Sequence, residues 1–177
     1  MLRVMNELEQ VWTRKLNEAR AKAENSGHAD VAEYLALRAT NDLIRRTSVE
    51  WLLNCLSEIA GDANRSGASI RIEMENSHRF QFGNASLVGS LCRLRQGVRC
   101  LSVEAGWTRS PADGFMRGGA LAVALVSHFG RSKHNAELVL ISEKNAPSWF
   151  SVGKSGKREL FDARNLQRHF QIFTGTI

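Results

Sequence analysis

The sequence is poor in residues that interrupt regular structure, and the shortage is uneven. Only Gly27 among the 14 glycines falls in the first 60 residues, and both prolines, Pro111 and Pro147, lie in the second half. Glycine and proline punctuate local structure, so a front third nearly free of them reads as helix. Cysteine is scarce as well. Cys55, Cys92 and Cys100 are too few for a disulfide scaffold and odd in number, which points to a reducing, cytoplasmic setting. No apolar run approaches the roughly 20 residues that cross a bilayer, and residues 1–16 carry charges where a signal peptide would be apolar. No membrane partner is expected. H-E-x-x-H and C-x-x-C are both absent, and no metal or cofactor is expected. What remains is a chain of 177 residues, 43% hydrophobic and 24% charged, ordinary globular proportions with length enough for a core.

The front of the chain follows a helical period. Met5, Leu8, Trp12, Leu16 and Ala19 recur at steps of three or four, one stripe of an amphipathic helix. Asn25-Ser26-Gly27 supplies the break, with Gly27 suited to the left-handed position after a helix end. A second helical segment runs from about Asp30 to Ala60, its stripe including Tyr34, Leu37, Ile44, Trp51, Cys55 and Ile59. Thr47 and Glu50 have the spacing of a capping box, which admits two helices meeting near Arg46. These helices offer more apolar surface than a hairpin buries within itself. It must pack on the rest of the chain or on a second copy, and a homo-oligomer through the N-terminal helices is expected.

From Ser69 the period changes to two. Ile70, Ile72 and Met74 alternate with Arg71, Glu73 and Glu75, the pattern of a half-buried strand. Asn76-Ser77 reads as a tight turn into a strand over His78 to Phe82. Leu87 to Arg95 and Val98 to Trp107 read as strands around a Gln96-Gly97 turn, which puts the thiols of Cys92 and Cys100 on opposite faces. Gly119 to Phe129, Ala136 to Ser142 and Trp149 to Val152 are further strand candidates, and Asp162 can cap a final helix through Phe170. Short connections favour antiparallel pairing. The fold expected is α+β: an N-terminal helical hairpin or short bundle (1–66), then an antiparallel sheet or half-barrel of five to seven strands with a short C-terminal helix (67–177).

The net charge of +6 is not shared evenly. Residues 1–66 hold 9 basic and 10 acidic side chains, net −1, whereas 67–177 hold 15 and 8, net +7. Arg93, Arg95 and Arg99 flank one hairpin turn, and Arg109 and Arg117 flank the next loop. Arg131 with Lys133, and Lys154, Lys157 and Arg158, occupy two more turns. Cations at strand ends suit a polyanion such as nucleic acid, because each neutralised phosphate releases counterions. Trp107, Phe115 and Trp149 are offered as stacking surfaces. Against this, solvated basic turns are common, and net charge also keeps a protein in solution.

The segment Glu104 to Gly119 (EAGWTRSPADGFMRGG) is the most site-like stretch. Trp107, Arg109, Asp113, Phe115 and Arg117 could line a pocket, and Gly118-Gly119 lets backbone amides approach an anion. Equally, Ser110 to Gly114 is ordinary turn chemistry, with Asp113 bonding its own backbone. A P-loop is excluded at Gly153-Lys154-Ser155, because Ser148 stands where its first glycine belongs. His28, His78, His128, His134 and His169 form no motif, and no nucleophile, base and orienter can be assembled, so an enzyme is not favoured. The leading expectation is a non-enzymatic, self-associating protein that binds an anionic partner through the sheet's basic turns. A small-ligand domain or enzyme with a pocket at 104–119, and a structural subunit of a larger assembly, are the alternatives.

Overall fold

The computed structural model describes residues 7–143, 146–153 and 155–177, with the side chains of 7–9, 111, 117 and 143 outside the description. Three helices and a seven-stranded antiparallel sheet form an α+β fold. The helices are α1 (Glu7–Asn25), α2 (Ala29–Arg65) and α3 (Ala163–Thr174). The strands are β1 (Arg71–Phe82), β2 (Ala85–Gln96), β3 (Arg99–Trp107), β4 (Ala122–His128), β5 (Ala136–Glu143), β6 (Ala146–Val152) and β7 (Arg158–Phe161). Each strand pairs with its neighbours in chain order, so the sheet is a pure meander. The chain divides into two compact units, 1–44 and 45–177, and the division falls inside α2.

In the first unit α1 leads into α2 through Gly27, which takes the left-handed conformation expected there. Its interior is small. Leu16, Ala23 and Ala32 are buried, while Val11, Trp12, Val31, Tyr34 and Leu37 are exposed. Trp12 is held by the Arg38 guanidinium 5.1 Å over its ring. Met5 lies outside the described residues, as does the side chain of Leu8. α2 is continuous from Ala29 to Arg65. The capping-box spacing of Thr47 and Glu50 falls mid-helix, where the backbone bonds of the turns on either side leave no break to cap.

The second unit has two apolar layers, one on each face of the sheet. On one face the C-terminal part of α2 buries Leu52, Leu53, Leu56 and Ala60, and α3 buries Leu166, Phe170 and Phe173. Trp149 Nε1 donates to Ser48 O at 3.2 Å and Arg45 Nε to Leu121 O at 2.8 Å, tying α2 to the sheet. The opposite face has its own cluster of Phe80, Leu87, Val123, Val139 and Ile141, with Met116 and Phe150 packed against it. The β3–β4 loop adds Met116 and Ala120 to it.

Two strands of this sheet approach each other unusually closely at one point. Gly89 pairs with Gly106 across β2 and β3. A Cβ on Gly89 would run into the carbonyl of Ala105 and come within 2.5 Å of Gly106 Cα, and one on Gly106 would meet Val88 O at 2.7 Å. The two backbones approach more closely than any side chain permits, which requires glycine at both positions.

Two sequence expectations are corrected. Asn76-Ser77 is not a turn, because β1 continues through it as a bulge, with Ser77 at φ 60° and the register stepping between Asn76 and His78. The true turn is Gly83-Asn84, where Phe82 pairs with Ala85. The second hairpin turns at Gly97-Val98, with Gln96 paired to Arg99. A glycine at φ 57° as its first central residue suits a two-residue hairpin. Cys92 then faces Val103 and Cys100 faces Arg95, so the thiols do point to opposite faces. At the other end of the chain, Asp162 caps α3 in a reciprocal box with Asn165.

Candidate functional site

In a meander alternate turns share one end of the sheet. The β2–β3, β4–β5 and β6–β7 turns lie at one end, and the β3–β4 loop starts from the other. The residues singled out in the sequence are divided accordingly. Arg93, Arg95 and Arg99 belong to the first end, and Trp107 to Gly119 leave from the second.

The β3–β4 loop uses much of its polar chemistry on itself. Trp107 is 5% exposed and carries the Arg109 guanidinium 4.0 Å over its ring. Asp113 Oδ2 accepts from the Ser110 hydroxyl at 2.9 Å, from Ser110 N at 2.8 Å and from Arg109 N at 3.1 Å. These bonds, the Ser110 hydroxyl foremost, hold its carboxyl below the usual range. Trp107, Arg109 and Asp113 are thus brought together as a folded turn. Phe115 is 83% exposed and does not join them. Gly118 and Gly119 both have positive φ, and Gly118 O accepts from Arg158 Nη2 at 3.2 Å. The Arg117 side chain lies outside the described residues, and so does Lys154. A cleft of about 310 Å³ is found elsewhere, where Trp51 of α2 meets Trp149, Leu160 and Phe161.

The other end is charged and more open. Glu73 stands among three arginines, 3.1 Å from Arg71 Nε and 3.5 Å from both Arg93 Nη1 and Arg95 Nε. Arg99 donates to Thr174 O, and Arg131 Nη1 donates to Ile172 O at 2.9 Å. Both guanidinium groups therefore sit on the last carbonyls of α3, where a helix presents its negative end. A carbonyl bond leaves the cation's full charge in place. Residues 95–99 (RQGVR) and 129–135 (FGRSKHN) bring four cations and no carboxylate to two turns. Phe129 N donates to Cys100 O at 2.9 Å, so the two turns are neighbours. Each exposes an apolar side chain: Val98 is 89% and Phe129 76% exposed. Of the proposed stacking rings, Trp107 and Trp149 are buried, and Phe129, which the sequence reading passed over, is the exposed ring at this end.

Two histidine constellations also escaped the sequence reading. His78 Nε2 lies 2.7 Å from Glu104 Oε1 and Nδ1 lies 3.2 Å from Glu75 Oε1. Burial opposes its charge, but the bonds from Glu104 and then Glu75 prevail and raise its pKa. With both ring nitrogens committed to carboxylates, it is an anchored cation rather than a free base. His128 Nε2 lies 2.9 Å from His169 Nδ1, and the His134 ring stands 6.0 Å from that of His128. Burial first, then the neighbouring cationic groups, push His128 and His169 down to about 4. These partners are 26 and 41 positions apart in the chain; strand register links the first pair, and the packing of α3 on the sheet links the second. Among the described residues no three His, Cys, Asp or Glu side chains are arranged to hold a metal ion.

Comparison of the chain with protein-family models, with characterised proteins and with solved structures finds no match.

Proposed function

We propose that the chain is a self-associating, non-enzymatic protein that binds an anionic partner at the end of the sheet formed by the β2–β3 and β4–β5 turns. The observation that carries this reading is the pair of neighbouring turns that bring Arg99, Arg131 and Lys133 together with no carboxylate in either turn, beside Arg95, which Glu73 partly neutralises. Arg99 and Arg131 are fixed by the end of α3, so little side-chain entropy is lost when an anion arrives. Nucleic acid is the polyanion such a rim first suggests. Self-association is supported by the first unit, which exposes Trp12, Val31, Tyr34 and Leu37 over a very small interior. The three free cysteines suit a cytoplasmic setting.

Titration against single-stranded and duplex DNA and against heparin, over a series of salt concentrations, tests the binding. Affinity should fall steeply with salt, and Lys133→Gln should reduce the salt slope by about one ion. Absence of binding to every polyanion at low salt overturns the reading.

A further inference from the structure

The charged end of the sheet has a second property that a rim built for polyanions does not need. Its two neighbouring turns each carry a large apolar side chain in solvent, Val98 at the tip of the first and Phe129 where the second leaves β4. Neither side chain has a structural task there. Gly97 makes the first turn with its positive φ, and Gly130 at φ 72° with the Arg131 N to His128 O bond makes the second. The cations Arg99, Arg131 and Lys133 are set beside these side chains on the same turns. A nucleic-acid strand would use a flat ring to stack a base, and Phe129 serves for that, but Val98 does not. A lipid–water interface uses both, because apolar tips enter the acyl boundary while cations beside them meet anionic headgroups. Neither signal suffices alone for stable attachment, and here the two occur together.

We infer that the anionic partner is a bilayer surface rich in acidic phospholipid, onto which the β2–β3 and β4–β5 turns dock by inserting Val98 and Phe129 with Arg99, Arg131 and Lys133 against the headgroups. This rests on the anion-binding reading above and names its partner. It requires no membrane-spanning helix, and none of the described helices is long and apolar enough to be one.

The test is flotation of the full chain with vesicles of phosphatidylcholine alone and of equal parts phosphatidylcholine and phosphatidylserine, beside heparin and single-stranded DNA titrations. The chain should float with the phosphatidylserine vesicles only. Val98→Ser with Phe129→Ser, two exposed changes that leave the core intact, should weaken vesicle binding by about tenfold or more, because partial burial of the two side chains accounts for that much. Heparin binding should be unchanged in that variant. Lys133→Gln should weaken both. Vesicle binding that survives the double change overturns the inference, since charge alone then explains it. Binding to single-stranded DNA that is lost with Phe129→Ser, without vesicle binding, makes nucleic acid the partner and also overturns it. In either case the anion-binding reading stands. It falls with the inference only if no anionic surface is bound at all.

Discussion

The histidines divide by the company they keep, and their pH signatures have opposite signs. His78 is raised above its ordinary 6.5 by two carboxylates despite partial burial. An imidazole of that kind contributes fully below its unfolded pKa, and the contribution is lost as pH rises through the folded value. His128 and His169, depressed to about 4, behave the other way. Their contribution is complete above the unfolded value near 6.5 and is lost as pH falls towards 4. Urea midpoints measured across pH therefore separate them. Glu104→Gln should cost about 1–2 kcal/mol at pH near 6 and less at alkaline pH, where His78 is neutral anyway. His169→Gln should flatten the decline between roughly pH 6.5 and 4. Neither effect was visible in the sequence. His78 and Glu104 are joined only because β1 and β3 flank β2 in a particular register, and the bulge at Ser77 decides which face His78 takes.

Among elements, the close approach of β2 and β3 at Gly89 and Gly106 has little tolerance for change. Gly89→Ala puts a methyl group into the backbone of Ala105 and Gly106, which cannot rotate away as a side-chain end can. We expect a loss of about 3 kcal/mol, read as a drop in the urea midpoint, whereas Gly97→Ala meets open space and costs only the left-handed strain of φ 57°, about 1 kcal/mol. Legibility followed the same line. Alternation over Ile70 to Met74 announced β1, and the Asp162 cap announced α3, because both signals are local. Asn76-Ser77 and Gln96-Gly97 were misread since bulges and turns draw on the same residues. Glycine marks the left-handed position without saying which neighbour joins it in the turn. β7 was missed because four exposed-to-buried residues, Arg158–Phe161, carry too little pattern to stand out.

At the scale of the molecule, composition was a sound guide to region and a weak one to geometry. The excess of +7 in residues 67–177 was legible by counting. Which arginines were committed to Glu73, to the end of α3 or to Trp107 depended on pairings across the sheet. The helical front makes a prediction of its own. Tyr34 and Leu37 are 61% and 59% exposed on α2, and the self-association proposed above predicts contact between copies through that surface. Tyr34→Ser with Leu37→Ser should shift the chain to monomer in sedimentation equilibrium while leaving the far-ultraviolet dichroism of the sheet unchanged. Because neither side chain belongs to the buried set, loss of folding is not the expected route to that shift.

The chain-order pairing of the seven strands bears on how the molecule acquires its shape. No strand waits for a partner made much later, so each hairpin can close over a short loop, at an entropic cost that rises only slowly with loop length. Low sequence separation between contacting strands favours rapid folding for a sheet of this size. The exception is the connection from Trp107 to Ala122, the longest between strands, which follows the close pairing of Gly89 with Gly106. The first three strands therefore pair over short loops alone, and the step to β4 carries the largest loop-closure cost in the sheet.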